Sequence, residues 1–164
     1  QPLILDADGL NALQGCTERL CDRRGRVTIL TPHDGEFARL TGKTLREIAS
    51  SERSELASRF ACAHGCVLVL KGHRTLVALP DGQMLVNTSG CSALSKGGSG
   101  DVLTGLIASL LCQGAGAAQA AALGVWLHGR AGELLAQEMT AYCASPQELL
   151  TQGLSLAFLE LLET

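Results

Sequence analysis

The sequence predicts an α/β fold in three layers, a mostly parallel sheet covered by helices on both faces and followed by a helical C-terminal part. Three observations predict it. "PLILD" (2–6), "VTILTP" (27–32) and "CVLVLKG" (66–72) are short, continuously apolar runs closed by Asp, Pro or Gly, as strands buried on both faces read. Segments of helical pattern alternate with these runs, the signature of parallel βα units. No repeat and no linker breaks the pattern, so residues 1–164 are read as a single domain.

The elements follow in order. After the strand at 2–6 comes a polar turn carrying Asp6, Asp8 and Asn11, then a short helical segment at 17–24. The strand at 27–32 is stopped by Pro32. "DGEFARLTG" and "TLREIASSERSELASRFACAHG" are helical, with Gly42 and Gly65 as C-terminal stops. The strand at 66–72 leads into "TLVALPDGQMLVN", two short strands around Asp81-Gly82 that signal a hairpin. A loop of small residues, "TSGCSALSKGGSG", precedes helices expected at 100–112, 117–139 and 145–162. The last opens with Ser145-Pro-Gln-Glu148, a cap residue, Pro at the first helical position and Glu three residues on.

Composition removes several classes of function. The chain is 46% hydrophobic, which excludes a disordered tail, and its net charge of −3 gives no basic field for nucleic acid or an acidic membrane. Only 3% of residues are aromatic, too few for base-stacking platforms. The apolar stretch "LTGLIASLLCQGAGAAQAAALGVWL" is broken by glycines and its leucines recur at helical spacing, so it reads as packed helices rather than a membrane span. Seven cysteines at irregular spacing, with no secretory signal, predict reduced thiols in a cytoplasmic protein. Cys62-Ala-His-Gly-Cys66 lacks a second ligand pair at suitable spacing, so no metal site is assigned. The sequence opens directly on an apolar run without an initiator Met. It reads as a strand from the middle of a sheet, in a domain incomplete on its N-terminal side. Apolar surface left bare there would favour a homo-oligomer or docking of the missing part.

The chemistry is expected at Gly97-Gly98-Ser99-Gly100-Asp101, a glycine-rich loop opening a helix. Familiar glycine motifs fail: Lys96 precedes the glycines where a P-loop needs it after them, Leu103 stands where a dinucleotide fingerprint needs Gly, and Asp101 where a hydrolase elbow needs Gly. What remains is a helix start whose free N–H groups and dipole suit an anion. Asp101 there is either a cap or a base held beside a transferring phosphoryl group. Lys71 leaves a strand end and can meet phosphate charge, with Gly72 letting a ligand approach the backbone, although a solvated surface lysine reads the same way. His33, just past Pro32, is a ligand contact or a capping histidine, and Glu36 is a capping acid or a metal and phosphate organiser. Asp6, Asp8 and Asn11 line a cleft or form a capped turn. His128, on an apolar helix, reads as packed.

Five segments, "LDADGLN", "TPHDGEFARLTG", "VLKGHRT", "GGSGDVLTG" and "AALGVWLHGRAGE", together resemble the ribokinase-like superfamily and, more closely, its NAD(P)H-hydrate dehydratase family, in that family's order. The resemblance covers the later part of the family's domain. It implies a hydro-lyase that repairs hydrated NADH or NADPH. ADP (in the eukaryotic form ATP), with Mg²⁺, phosphorylates the ring hydroxyl, and phosphate is then eliminated. It implies Asp101 as the catalytic base, His33, Asp101 and Asn11 at the substrate, and Lys71, Gly72, His73, Arg74, Thr75 and Gly100 at the nucleotide. The amides of Gly98, Ser99 and Gly100 would form the anion hole. Family members often show "NPGMAT" where this chain has "CSALSK", a departure that bears on loop shape and nucleotide preference. A ribokinase-like kinase of a small alcohol, of hydroxymethylpyrimidine or thiazole type, is the alternative enzyme. A non-catalytic nucleotide-binding fragment is the alternative of another class.

Overall fold

In the computed structural model, which describes residues 1–49 and 52–163, alternation along one strand builds the layers. The strand at Val67–Leu70 (β3) is buried throughout. Its Val67 and Val69 face one apolar cluster, and Leu68 and Leu70 face a second on the opposite side. Side chains of a strand point alternately to the two faces, so both sides of the sheet must be covered. The first cluster is closed by the helices Ser99–Cys112 (α5), Ala117–Cys143 (α6) and Leu154–Leu162 (α8), the second by Ala7–Asn11 (α1), Asp34–Thr41 (α2), Leu45–Ile48 (α3) and Arg53–His64 (α4). A short turn of helix, Pro146–Glu148 (α7), precedes α8. Full burial of each Leu, Ile or Phe in these clusters stabilises the fold by about 1.5–3 kcal/mol.

Leu3–Leu5 (β1) pairs in parallel with Thr28–Leu30 (β2), and β2 in parallel with β3. Leu76–Ala78 (β4) and Met84–Val86 (β5) add the expected hairpin, antiparallel, giving the order β1-β2-β3-β4-β5. The edge strand β1 is only half-buried along its length, whereas every residue of β2 is buried. Because β1, β2 and β3 run the same way, the residues just past their C-terminal ends share one edge of the sheet. His33 and Lys71 form a parallel bridge there, and the Lys71 amide donates to the Pro32 carbonyl at 2.8 Å.

Gly42 and Gly65 end α2 and α4 in the left-handed conformation, as expected. Three expectations are corrected. The turn at Asp6 to Asn11 contains the helix α1. The helix expected across 44–65 is two, α3 with a capping box between Thr44 and Glu47 and then α4. Residues 50 and 51 between them lie outside the described ones. The helix expected at 145–162 has its capping box and Pro at the first position, but passes through a wide π turn at Leu149–Gly153. Gly153 lies so close to α6 there that a Cβ would sit 2.9 Å from Leu135 Cδ1. The regular backbone of α6 ends where expected, at 139: Thr140 leaves the helical region with φ at +66° and ψ at 154°, and a further turn follows to Cys143. The Lys96 amine holds that turn by donating to the carbonyls of Tyr142, at 2.8 Å, and Ala144.

Candidate active site

Three parallel strands deliver Asp6, His33 and Lys71 to one edge of the sheet, and α5 starts above them. The Lys71 amine lies 2.8 Å from Asp6 Oδ1 and 3.8 Å from Glu36 Oε2. All three side chains are largely shielded, which strengthens the pairing over a surface ion pair. Thr104, on the first turns of α5, donates from Oγ1 to Asp6 Oδ2 at 3.2 Å. A Cβ on Gly100 would sit 3.3 Å from the Lys71 amine and 3.4 Å from Asp6 Oδ2. The "KGHRT" and "GGSGD" segments therefore meet at Lys71 and Gly100.

The start of α5 is open. Gly98 is its N-cap, at φ +89°, and a Cβ there would meet Pro146 Cγ at 3.1 Å. Glycine is required on both counts. No side chain caps this end. Asp101 stands in the first turn, exposed, and its carboxylate makes no hydrogen bond or ion pair among the described residues. Its capping reading is thus reduced to a charge near the helix dipole. Of the amides expected to form an anion hole, that of Ser99 is already engaged: it donates to the Lys96 carbonyl at 3.2 Å, because the glycine turn folds back on itself. The amides of Gly98, Gly100 and Asp101 make no hydrogen bond among the described residues. Ser99 is buried, and both its hydroxyl and its carbonyl meet His128 Nε2, at 3.1 and 2.9 Å. His128 is buried too. Burial pushes its imidazole down to about 4; the bond to Ser99 opposes that shift and the Lys71 charge adds to it.

The start of α2 is closed by its own side chains. His33 Nδ1 accepts from the amides of Gly35, at 2.9 Å, and Glu36, at 3.2 Å, while Glu36 Oε2 accepts from the His33 amide at 2.7 Å. With Nδ1 accepting, the neutral ring carries its proton on Nε2, which lies 3.5 Å from Glu36 Oε1 on a side chain still half exposed. Asn11 is placed apart from Asp6: it donates to Asp8 Oδ1 at 3.2 Å and accepts from Arg39 Nε at 3.1 Å. The helix α1 is what divides this trio. Gly72 also has a protein neighbour. A Cβ there would sit 2.9 Å from Arg53 Nη2, and that guanidinium donates to the carbonyls of Leu70 and Lys71, at 3.1 and 3.0 Å, and to Asp34 Oδ1 at 3.1 Å. Thr75 closes the segment by bonding both the carbonyl and the amide of Gly72. His73 and Arg74 project from that turn, exposed.

Sequence reasoning missed Arg53, Thr104 and the attachment of His128 to Ser99. A buried histidine on an apolar helix was the only signal for the last, and Thr104 looks like any helix threonine. With this geometry in place, the family model for NAD(P)H-hydrate dehydratase matches residues 1–153 of the chain. The chain belongs to the NAD(P)H-hydrate dehydratase family. It is 45% identical over 136 residues to an ADP-dependent (S)-NAD(P)H-hydrate dehydratase of Neisseria meningitidis serogroup B, covering 82% of this chain and 46% of that one. It is 45% identical over 138 residues to a bifunctional NAD(P)H-hydrate repair enzyme of Thermofilum pendens, covering 84% of this chain and 26% of the relative. Among solved structures, the Bacillus subtilis ADP/ATP-dependent NAD(P)H-hydrate dehydratase co-crystallised with ATP and Mg²⁺ matches with a TM-score of 0.82 at 36% identity. That match covers 97% of this chain and 55% of the other. A ribokinase-like superfamily protein of Enterococcus faecalis matches with a TM-score of 0.77 at 26% identity. The fold is thus ribokinase-like, and the chain spans about half the length of these solved relatives, or less of the curated ones. Within the family's frame, the edge bearing Asp6, His33, Lys71 and Gly100 lies outside the carboxyl ends of the parallel strands, where open α/β sheets hold ligands.

Proposed function

We propose that this chain carries the phosphoryl-handling part of an ADP-dependent NAD(P)H-hydrate dehydratase, a hydro-lyase that restores NADH or NADPH from the hydrated form. The observation that carries the reading is the meeting of the Lys71 amine with an open helix start that presents three unpaired amides and a free carboxylate, Asp101. The amides of Gly98, Gly100 and Asp101 suit the oxygens of a transferring phosphoryl group, and Lys71 suits the phosphate charge. Asp101 takes the proton of the substrate hydroxyl as that oxygen bonds to the terminal phosphorus of ADP and the bond to the AMP oxygen breaks. The ring C–O bond then breaks, phosphate leaves with its electron pair, and loss of a proton from the neighbouring carbon restores the double bond. His33 contacts the hydrated ring through Nε2, and Asn11, joined to α2 through Arg39, contacts the substrate beside it. His73, Arg74 and Thr75 border the nucleotide.

Mg²⁺ belongs to this reading as the nucleotide's counter-ion. No group of three or more His, Cys, Asp or Glu side chains among the described residues is arranged to hold a metal ion. Asp6 is bonded to Lys71 and Thr104, and Glu36 to the His33 amide. These residues do not fit a protein-held ion, so none is assigned as a ligand and no step is routed through one. The seven cysteines are free thiols, which supports a reducing, cytoplasmic setting, and no described helix is long and apolar enough to cross a membrane. Self-association is supported by the half-buried edge strand β1 and by exposed Leu159 and Leu162 on α8.

The test incubates the protein, in its full-length polypeptide, with hydrated NADH and ADP. Recovery of nicotinamide absorbance with one AMP and one phosphate per NADH is the expected result. A kinase of small alcohols would give AMP or ADP without that recovery. No recovery with either ADP or ATP overturns the dehydratase reading.

A further inference from the structure

We propose that His128 is a positioning residue: its Nε2–H, by holding the Ser99 carbonyl, aims the Gly100 amide at the anion bound by the start of α5. For its turnover readout the inference rests on the dehydratase reading; its structural and binding readouts stand without it.

The argument starts from one peptide unit. The Ser99 carbonyl and the Gly100 N–H belong to the same planar, trans peptide, so they point in opposite directions and rotate together. His128 Nε2 lies 2.9 Å from the carbonyl, at the buried end of that unit. The carbonyl only accepts, so the proton is on Nε2 and the Ser99 hydroxyl, at 3.1 Å, shares the same nitrogen. The other end of the unit, the Gly100 amide, makes no hydrogen bond among the described residues, and it belongs to the residue whose Cβ would sit 3.3 Å from the Lys71 amine and 3.4 Å from Asp6 Oδ2. Fixing the inner end therefore fixes where the outer end points. A bond accepted by the carbonyl also polarises the peptide and makes its N–H a stronger donor.

Two further features fit this role. The loop between β5 and α5 is laid against one face of α6, where Gly129 and Gly132 flank His128. A Cβ at Gly129 would collide with Ser89 Oγ, and one at Gly132 would sit 2.8 Å from Leu94 Cδ2. The loop is tied down there by Ser89 Oγ to the Trp126 carbonyl, at 2.9 Å, and by the Gly90 amide to Glu133 Oε1, at 2.7 Å. Those bonds place the loop; the His128 bond is the one that reaches the helix start itself. Close packing leaves the turn little room to find the same geometry without it.

The experiment compares wild type with His128→Leu, which fills the volume without a donor, and His128→Gln, which keeps a neutral N–H donor at the reach of Nε2. ADP binding is followed by calorimetry, the Gly100 amide by its ¹⁵N–¹H resonance, and turnover with hydrated NADH. In His128→Leu the Gly100 resonance moves, ADP binds about tenfold more weakly, and turnover falls about tenfold, the scale of one lost hydrogen bond. In His128→Gln the resonance and both functional values return to within about threefold of wild type. If the Leu variant does not fold, His128→Asn takes its place, because its shorter amide stops short of Ser99. Wild-type binding and an unmoved Gly100 resonance in the Leu or Asn variant would overturn the proposal, as would a Gln variant no better than Leu. Wild type that binds ADP but never restores NADH would fail the dehydratase reading alone, and the Gly100 and binding readouts would still decide His128.

Discussion

Two helices begin at the same edge of the sheet, and they begin in opposite ways. At the start of α2, His33 and Glu36 satisfy one another's backbone amides in a reciprocal capping box. At the start of α5, the cap position is Gly98, no side chain caps the amides of the first turn, and three of them make no hydrogen bond among the described residues. Unpaired amides at a helix start cost stability unless water or a ligand takes them. The protein closes one end with its own side chains and holds the other open from beneath, through His128, Lys96 and the packing of Gly98 on Pro146. On the proposed function, the difference separates a helix start closed by its own side chains from one that takes an anion.

The largest effect expected along this contrast is at Asp101. Asp101→Asn preserves shape while removing a proton acceptor, and turnover should fall by about 10²-fold or more. Because Asp101 makes no capping bond, the melting temperature should barely move. Turnover close to wild type in a folded Asp101→Asn enzyme would reduce α5 to an anion site without a base.

The supporting histidine gives the next effect, on stability against pH. His128 is held at about 4 in the folded chain, chiefly by burial, against about 6.5 when unfolded. A folded value below the unfolded one means that the unfolded chain takes up the proton first as pH falls. Stability should therefore be fullest above pH 6.5, decline between about pH 6.5 and 4, and lose at most about 3 kcal/mol from this group. Denaturant unfolding across that range checks it, with His128→Gln as the reference in which this component of the slope is missing. An identical slope in that variant would contradict the assignment.

How much of this contrast was legible beforehand depends on sequence distance. The strands at 2–6, 27–32 and 66–72, the hairpin and the stops at Gly42 and Gly65 were readable because each is encoded by its own residues. The glycine loop and its acid were readable for the same reason. The pairing of Lys71 with Asp6 spans 65 residues, that of Thr104 with Asp6 spans 98, and that of His128 with Ser99 spans 29. Such partners are set by packing of the two helical layers on the sheet, which no local pattern states. The Arg53 guanidinium is a partner of the same kind: it packs against Gly72 and bonds the Leu70 carbonyl across 17 residues of sequence.

Two smaller effects sharpen the comparison. Gly98→Ala forces a side chain into φ +89° and against Pro146; it should cost about 1–2 kcal/mol and weaken ADP binding together. At the closed end, His33→Ala removes a cap and should cost about 1 kcal/mol, which His33→Asn should largely recover. Stability recovered in His33→Asn with KM for hydrated NADH still raised would mark His33 as a substrate contact as well as a cap. Recovery of both would leave it a cap alone.

The most direct test of the contrast is an ADP titration of the ¹⁵N-labelled protein, read at the amides of the two helix starts. The amides of Gly98, Gly100 and Asp101 should shift in a saturable, common manner, because they are unpaired among the described residues and the proposed function has them bind the phosphates. Those of Gly35 and Glu36, already bonded to His33 Nδ1, should stay in place. Shifts confined to Gly35 and Glu36, or none at Gly98, Gly100 and Asp101 while ADP binds, would contradict the account.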